Sequence, residues 1–360
     1  MRAYKWIVAP GALLAGLAVL ALGLSLAGYD PVIALGALWT GAFGSWYAFS
    51  SATLVRAVPL TIIGLGLALA FRGGAFNIGA EGQFYAGAIA ATWVGLHVGS
   101  LQPAVAVAVV LAASVLAGGL WVAVPVLLRV RYGVLEVIST LLLNFVADAT
   151  TSLVVQGPLQ ERQGIYPQSD PIADVARLPL VPGTRLHVGL LLALVGAVML
   201  RYLFRRTLWG FQLLAVGLGP RAAEISGRID SRRMAATALA LSGAIAGLAG
   251  GVEVSGVSYA LFQNLSPGYG FTAIAVALLG RLEPFGVVLS GLLFGALEAG
   301  AGAMQREAGV PAVAVYVVEA VVIVVVLLAE ALRRGGTGAI AAIGAESAAG
   351  AEAGGGEASR

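Results

Sequence analysis

Long apolar runs alternate with short polar segments along the whole sequence, and the lengths of the runs predict the fold. A helix needs about 20 apolar residues to cross the hydrocarbon core of a bilayer. Ten runs are candidate crossings, at 6–28, 52–71, 76–98, 103–128, 134–155, 186–204, 234–255, 259–280, 284–303 and 311–331. The pattern therefore predicts an all-α polytopic membrane protein with about ten transmembrane helices.

Two of these runs are interrupted and predict discontinuous helices. The run 52–71 contains Pro59, and the run 259–280 contains "NLSPGYG", which leaves only "FTAIAVALLG" as a clean helical stretch. Transporters use broken helices of this kind at their binding sites. The segments 64–83 and 242–260 each place a small-residue helix before a polar break with an acid, which suggests an internal repeat of two related halves.

The positive charges predict the orientation of the chain in the membrane. With the N-terminus inside, the 21 Lys and Arg residues fall at cytoplasmic ends of the runs, except for Arg56, Arg162, Arg177, Arg185 and Arg306. Cytoplasmic loops of membrane proteins carry such an excess of positive charge. We therefore expect both termini to be cytoplasmic, and we expect 259–280 to cross the membrane in spite of its break.

The chain divides into a transmembrane domain, 1–334, and a Gly/Ala/Glu-rich tail, 335–360, which we expect to be disordered. The loop 156–185 is predicted to lie outside, and the basic loop 205–233 inside. The run 6–28 is longer than the apolar core of about 7–15 residues in a signal peptide, so we interpret it as a retained span rather than a cleaved signal.

Composition supports a membrane protein and excludes several other classes. The chain is 59% hydrophobic and 11% charged, with a mean hydropathy of +0.93. It has two histidines and no cysteine, so we expect no metal site and no cofactor in this chain. The basic residues end apolar runs instead of forming one soluble face, which argues against nucleic-acid binding. With Lys5 as its sole lysine, the chain lacks a phosphate-binding loop, and we expect it not to be an enzyme.

Small residues at helical spacing predict close packing of helices, which in lipid depends on backbone contact. Three such stripes are Gly82, Ala86 and Ala90; Gly243, Gly247 and Gly251; and Gly291, Gly295 and Ala299.

A polar stripe follows the fifth run at four-residue steps. It consists of Glu136, Thr140, Asn144, Asp148 and Ser152, with Ser139 and Thr151 beside it. It extends for about 24 Å at 1.5 Å per residue. A charge at the centre of a bilayer is costly, so the stripe must face other helices or water. Two interpretations remain: hydrogen bonds between helices, or the wall of a translocation pathway.

The stretch "FRGGAFNIGAEGQFYAGA" (71–88) places polar groups after a glycine break. At helical spacing Asn77 and Glu81 share a face, and Gln83 points elsewhere. Glu81 either caps the new helix or belongs to a polar site at a broken helix. Our candidates for the polar lining of a pathway are Asn77, Glu81, Gln83, Asn144 and Glu253, to which the polar stripe adds Glu136, Thr140 and Asp148. For Glu298 and Glu319 we favour structural pairing.

This stretch resembles the permease subunits of bacterial ABC importers for nucleosides, which are related to ribose and branched-chain amino acid permeases. The resemblance continues in "LEVISTLLLNFVA" (135–147), "AVGLGPRAAEISGRID" (215–230), "LALSGAIAGLAGGVEVSG" (239–256) and "GYGFTAIAVALLGRLEPFGVVLSGLLFGALEAGA" (268–301). The resemblance covers most of 52–330 in order. The motif "FNIGAEGQ" (76–83) favours the nucleoside permeases over the ribose permeases.

The resemblance implies several partners in a bacterial inner membrane: a cytoplasmic ATPase that binds ATP and Mg, a second permease subunit that is a copy or a paralogue, and an extracytoplasmic substrate-binding lipoprotein. It also implies that "PRAAEISG" contacts the ATPase. The residues concerned are Pro220, Arg221, Ala222, Ala223, Glu224 and Gly227. The alternatives are a sugar or branched-chain amino acid permease, or an ion-coupled transporter in which Glu81, Glu136 or Glu253 carries protons.

Overall fold

A computed structural model describes residues 18–225 and 229–311, together with the single positions 317, 320 and 324. Within these residues the regular structure is helical, apart from two isolated β-bridges, Gln168–Phe262 and Leu180–His187. The predicted last span 311–331, the tail 335–360 and the start of the first span lie outside the described residues, except for residue 311 and the three single positions.

The helices follow the predicted runs closely in order. After helical residues 18–26, they are α1 (Pro31–Phe43), α2 (Leu54–Arg72), α3 (Ala80–Gly95), α4 (Pro103–Trp121), α5 (Ala123–Tyr132), α6 (Glu136–Val155), α7 (Gly189–Arg206), α8 (Leu208–Leu218), α9 (Pro220–Ile225), α10 (Ser231–Glu253), α11 (Tyr269–Leu279) and α12 (Pro284–Ala308).

Five helical stretches in the described residues are long and apolar enough to cross a membrane. They are Trp46–Arg72, Pro103–Tyr132, Glu136–Val155, Ser231–Ser258 and Pro284–Ala308. Several shorter apolar helices accompany them, including α1, α8 and α11. The prediction of an all-α polytopic membrane protein is therefore confirmed.

The breaks in the helices differ in part from the prediction. The break in 259–280 is confirmed, because only Tyr269–Leu279 is helical after an irregular segment. Pro59, however, does not interrupt α2, which runs continuously from Leu54 to Arg72. The second discontinuity lies instead at residues 73–79, where the chain leaves the helix before α3 begins.

Two helices lie where no span was predicted. Helix α1 has 13 residues and α8 has 11, both too short for the length criterion that identified the runs. Helix α8 occupies much of the predicted loop 205–233, and Gly219 separates it from the short helix α9.

Glycines bring α3, α4 and α10 into backbone contact. A Cβ on Gly247 would lie 2.8 Å from the Cα of Gly118 on α4, and one on Gly243 would lie 2.6 Å from Val122. Gly87 on α3 meets the backbone of Gly247 directly. The glycine stripe of α10 therefore packs as predicted, and residues 36–307 form one compact unit around it.

Candidate functional site

The segment 73–79 enters the core of the bundle without helical structure. Gly73 ends α2 where Leu213 and Ala238 leave no room for a side chain, and Gly74 takes a positive φ of 73°. A segment without helical hydrogen bonds must find other partners for its backbone inside a membrane. The side chains that bond to the backbone of 73–79 are therefore the ones that hold this segment in place.

Asn77 forms a closed pair with Gln83. The Asn77 Nδ2 donates to Gln83 Oε1 at 2.8 Å, and Gln83 Nε2 donates back to Asn77 Oδ1 at 3.0 Å. Asn77 Nδ2 also donates to the hydroxyl of Ser242 on α10 at 3.0 Å. Both amides are buried. The predicted shared face of Asn77 and Glu81 is wrong, because Asn77 precedes the helix and helical spacing does not apply to it.

Glu136, at the start of α6, holds the entry of this segment. Its Oε1 accepts the backbone N–H of Phe76 at 3.1 Å and lies 2.6 Å from Arg129 Nη1. The same guanidinium donates to the carbonyl of Gly74 at 3.3 Å. One carboxylate and one arginine therefore bind two points of the non-helical backbone.

Thr140 and Asn144, the next members of the polar stripe, continue this contact. The backbone N–H of Ile78 donates to Thr140 Oγ1 at 3.3 Å, and Asn144 Nδ2 donates to the Ile78 carbonyl at 2.8 Å. Asn144 Oδ1 accepts the N–H of Gly82 at 2.9 Å. These two side chains satisfy backbone groups that the break leaves without helical partners.

The members of the stripe nearest the end of α6, Asp148 and Ser152, have different surroundings. Asp148 is exposed on the surface of α6. Ser152 accepts a hydrogen bond from Gln263, which belongs to the irregular segment before α11. Ser139 and Thr151 bond to carbonyls of their own helix. The stripe therefore contacts both non-helical segments and presents one carboxylate at the surface of the chain.

Glu81 joins the starts of the two interrupted helices. Its Oε2 accepts the backbone N–H of Gly270, in the first turn of α11, at 2.6 Å. A Cβ on Gly270 would lie 2.6 Å from the Cα of Glu81, so only glycine permits this approach. The hydroxyl of Ser266 caps the same helix by accepting from Tyr269 N at 2.9 Å. A helix N-terminus carries partial positive charge, which suits a carboxylate there.

Glu253, at the end of α10, is buried. Within the described residues its carboxylate makes no hydrogen bond or ion pair. Glu298, for which we predicted structural pairing, lies 3.9 Å from Arg56. Glu319 lies outside the described residues.

The loop 156–185 folds back on the break before α11. Backbone hydrogen bonds join Ile172 to Tyr259 and Leu178 to Ser255, each at 2.8 Å. Near its start, hydrogen bonds from the Gln168 side chain and then from the Tyr166 N–H lower the pKa of the half-buried Glu161. The backbone hydrogen bonds of the loop therefore fix the start of the irregular segment.

The predicted coupling segment is a short surface helix. Helix α9, Pro220–Ile225, exposes Pro220, Arg221, Ala222 and Glu224 and buries Ala223. Glu224 accepts a hydrogen bond from Ser231 at the start of α10. Gly227 lies outside the described residues.

Long-range partners of this site were not predictable from spacing. Ser242 is 165 residues from Asn77 along the chain, and Gly270 is 189 residues from Glu81. The sequence signals for them are weak: a serine in a small-residue helix, and a glycine after the "NLSPG" break.

A multi-pass bundle with two helices broken inside it, and with polar side chains gathered at both breaks, defines a membrane transport protein. Residues 49–328 match the family described as branched-chain amino acid transport system / permease component. The chain belongs to this family and is a permease component of an ABC transporter. Such a component is distinct from the ATPase.

Individual relatives cover most of the chain. It is 37% identical over 327 residues to the guanosine ABC transporter permease protein NupP of Bacillus subtilis, covering 89% of this chain and 93% of that protein. It is 37% identical over 332 residues to a glucose ABC transporter permease protein of Haloferax volcanii, with 89% and 87% covered. Identity to a nucleoside ABC transporter permease protein of Lactococcus lactis is 32% over 308 residues, with 82% and 83% covered.

Proposed function

We propose that this chain is the permease subunit of an ATP-driven importer for nucleosides or related ribose-bearing solutes. The observation that carries the proposal is the junction at Glu81, where the starts of α3 and α11 meet inside the bundle. Broken helices whose starts point at one place form polar binding sites in other transporters. Two relatives named for guanosine and nucleosides support this substrate class.

The proposal includes the partners that an ABC permease requires. A cytoplasmic ATPase binds ATP and Mg and contacts α9. A second permease subunit, which is a copy or a paralogue, completes the membrane-spanning part. An extracytoplasmic lipoprotein delivers the solute. Both termini are then cytoplasmic in a bacterial inner membrane. The arginines on α5, on α9 and at the start of α10 give the molecule an arginine-rich end, which agrees with this orientation.

In the proposed mechanism, ATP binding in the partner moves α9 and shifts the bundle between outward-open and inward-open states. The two helix starts at Glu81 and Gly270 are the natural place for this movement, because non-covalent contacts hold them together. These contacts include the hydrogen bonds from Gly270 N–H to Glu81 and from Ser266 N–H to the Tyr85 hydroxyl. Glu253 and Asp148, whose carboxylates have no ion-pair partner in the described chain, are the side chains left for contact with a polar solute.

The glucose permease relative gives a second candidate substrate class, a hexose. Uptake of radiolabelled solutes by cells that contain the complete transporter separates the two classes. The panel consists of purine and pyrimidine nucleosides, ribose, glucose and branched-chain amino acids. Saturable uptake of nucleosides, competed by other nucleosides but not by glucose, supports the proposal. Glucose uptake without nucleoside uptake contradicts it.

Ion-coupled transport predicts a different energy source. Uptake by the proposed importer stops when ATP is depleted and continues when an uncoupler removes the proton gradient while ATP is held constant. Loss of uptake with the uncoupler alone would favour proton movement through Glu81, Glu136 or Glu253. Uptake by the purified chain alone, driven by an ion gradient, would also contradict the importer.

A further inference from the structure

We propose that a basic cavity at the arginine-rich end of the molecule binds the headgroup of an anionic phospholipid. The cavity has a volume of about 590 Å³ and lies between the end of α5, the turn to α6, the end of α8 and the start of α10. Arg129, Arg131 and Arg232 line it. We call it the basic pocket.

The acidic groups around the basic pocket are already engaged, which leaves two arginines with their charge uncompensated. Glu136 is paired with Arg129 at 2.6 Å. Asp230 is paired at 3.0 Å with Arg233, which does not line the pocket. Within the described residues, Arg131 and Arg232 form no ion pair and are exposed. The pocket therefore presents two cationic groups to a ligand.

The neighbouring Glu224 does not change this balance. Its carboxylate accepts a hydrogen bond from the hydroxyl of Ser231, which lines the pocket, and so it is held by a neutral group. It stands on α9 and is exposed, beyond the lining of the pocket. An anion that enters the pocket meets the two arginines first.

Apolar side chains next to the arginines indicate that the anion carries a hydrocarbon part. Val130, Val134 and Leu135 line the same cavity and are 44%, 38% and 65% exposed. From Leu135 the exposed apolar surface of α6 continues through Ile138 and Phe145. This strip is about 15 Å long at 1.5 Å per residue. A phosphate bound by the arginines would leave its acyl chains on this strip.

Basic pockets on the cytoplasmic side of membrane helices bind anionic lipid headgroups. A free phosphate would use the two arginines and leave the apolar strip uncovered. An acidic side chain of a partner protein would do the same. The combination of charge and exposed apolar surface therefore selects a phospholipid, of which phosphatidylglycerol is the simplest anionic example.

The test is a lipid titration of the purified full-length chain in a neutral detergent, with bound lipid read by native mass spectrometry. The probes are dioleoyl phosphatidylglycerol, dioleoyl phosphatidylcholine and glycerol phosphate. We expect phosphatidylglycerol to bind in preference to the other two. Replacing both arginines (R131Q/R232Q) should weaken its binding roughly 25-fold, at about fivefold for each arginine.

Arg205→Gln is the matched control, because it removes an exposed arginine at the end of α7 that lies outside the pocket and forms no ion pair in the described residues. It should bind phosphatidylglycerol as the unaltered chain does. The single variants R131Q and R232Q should each lose about fivefold, which keeps the test valid if the double variant folds poorly.

Four results would overturn the proposal. The first is equal binding of phosphatidylglycerol and phosphatidylcholine, and the second is unchanged binding by both single variants. The third is binding of glycerol phosphate as tight as that of the lipid, which would make the pocket a site for free phosphate. The fourth is loss of ATPase association in R131Q/R232Q at unchanged lipid affinity, which would make the arginines part of a protein interface.

Discussion

Single side chains on α6 replace the hydrogen bonds that the break before α3 removes. Asn144 uses both ends of its amide, because it donates to the Ile78 carbonyl and accepts from the Gly82 N–H. Water is scarce at such a depth, so the backbone groups have few alternatives. The first half of the polar stripe, Glu136 to Asn144, therefore stabilises the non-helical backbone before α3.

Asn144→Ala should destabilise the chain without altering its helices. The substitution leaves the Ile78 carbonyl and the Gly82 N–H unpaired. Hydrogen bonds between membrane helices contribute on average about 0.6 kcal/mol and at most about 1.7 kcal/mol each. We expect a loss of roughly 1–3 kcal/mol in the free energy of unfolding, measured by denaturant titration in detergent micelles.

Thr150→Ala is the control for this prediction. Thr150 lies on the same helix, and its hydroxyl bonds only to the Val146 carbonyl one turn earlier. Its removal should change the free energy of unfolding by less than about 0.5 kcal/mol. Equal effects of the two substitutions would show that the link from α6 to the break contributes nothing measurable.

Two substitutions of Glu81 distinguish its hydrogen bond to the start of α11 from an effect of its charge on transport. Glu81→Ala removes the acceptor for Gly270 N–H, whereas Glu81→Gln keeps an acceptor and removes the charge. We expect Glu81→Ala to lower solute uptake roughly tenfold or more at normal assembly, since a hydrogen bond to a charged group contributes about 1.5–3 kcal/mol. Uptake by membrane vesicles with an ATP supply measures this.

The glutamine variant then identifies the cause. Substantial uptake in Glu81→Gln indicates that the hydrogen bond between the two helix starts is what matters. Uptake as low as in the alanine variant indicates that the charge itself acts on the solute or on a proton. Normal uptake in Glu81→Ala would remove this residue from the pathway.

Helices α3, α4 and α10 approach each other so closely that side chains are excluded from specific positions. Neighbouring glycines on α4 show the difference. A Cβ on Gly118 would meet the carbonyl of Gly243 and lie 2.6 Å from the Cα of Gly247. One on Gly119 would lie 3.6 Å from the Cβ of Ala244, which is an ordinary contact.

Gly118→Ala should therefore separate α4 from α10, while Gly119→Ala should not. Overpacking typically costs about 1–3 kcal/mol, so we expect a loss of that size in the free energy of unfolding of Gly118→Ala. In Gly119→Ala the better helix propensity of alanine should leave stability unchanged or raise it by up to about 1 kcal/mol. Thermal unfolding in detergent measures both, and equal midpoints would contradict the packing.

The apolar pattern predicted the long helices well and the short ones poorly, for a physical reason. Runs near 20 residues are selected by the thickness of the bilayer, and these became α2, α4–α5, α6, α10 and α12. Helix α1 has 13 residues, so a length criterion overlooks it. Pro59 was expected to break α2, but a helix in a bundle tolerates proline when neighbouring groups satisfy the freed carbonyl.

At the site, the sequence predicted which residues are polar and buried but not how they pair. Asn77, Gln83, Thr140 and Asn144 were all identified as candidates, and all lie at the break before α3. Their partners depend on which segments meet in space, and Ser242 and Gly270 come from distant parts of the chain. Helical spacing also misled the prediction for Asn77, because it assumes a helix that the chain does not form there.

At the scale of the whole molecule, the exposed short helix α9 lies at the arginine-rich end and directly precedes α10 in the chain. Glu224 on α9 bonds to Ser231, the first residue of α10, which continues to Ser242 and the break before α3. We propose that movement of α9 is transmitted to the polar centre through α10, and that this path couples the permease to an ATPase.

Arg221→Ala should uncouple the transporter at this surface. Arg221 is exposed on α9, so its removal should leave the fold of the permease intact and weaken the proposed contact with the ATPase. We expect solute uptake to fall roughly 30-fold, because removing one partner of a charge pair buried in an interface typically costs about 2 kcal/mol or more. ATP hydrolysis by the assembled complex should no longer rise when the loaded binding protein is added.

Arg205→Ala, an exposed arginine at the end of α7 outside this segment, is the control and should transport normally. If Arg221→Ala retains both uptake and stimulated hydrolysis, α9 is not the coupling surface, and the exposed side chains Leu218 and Ile225, 91% and 86% accessible, become the next residues to replace.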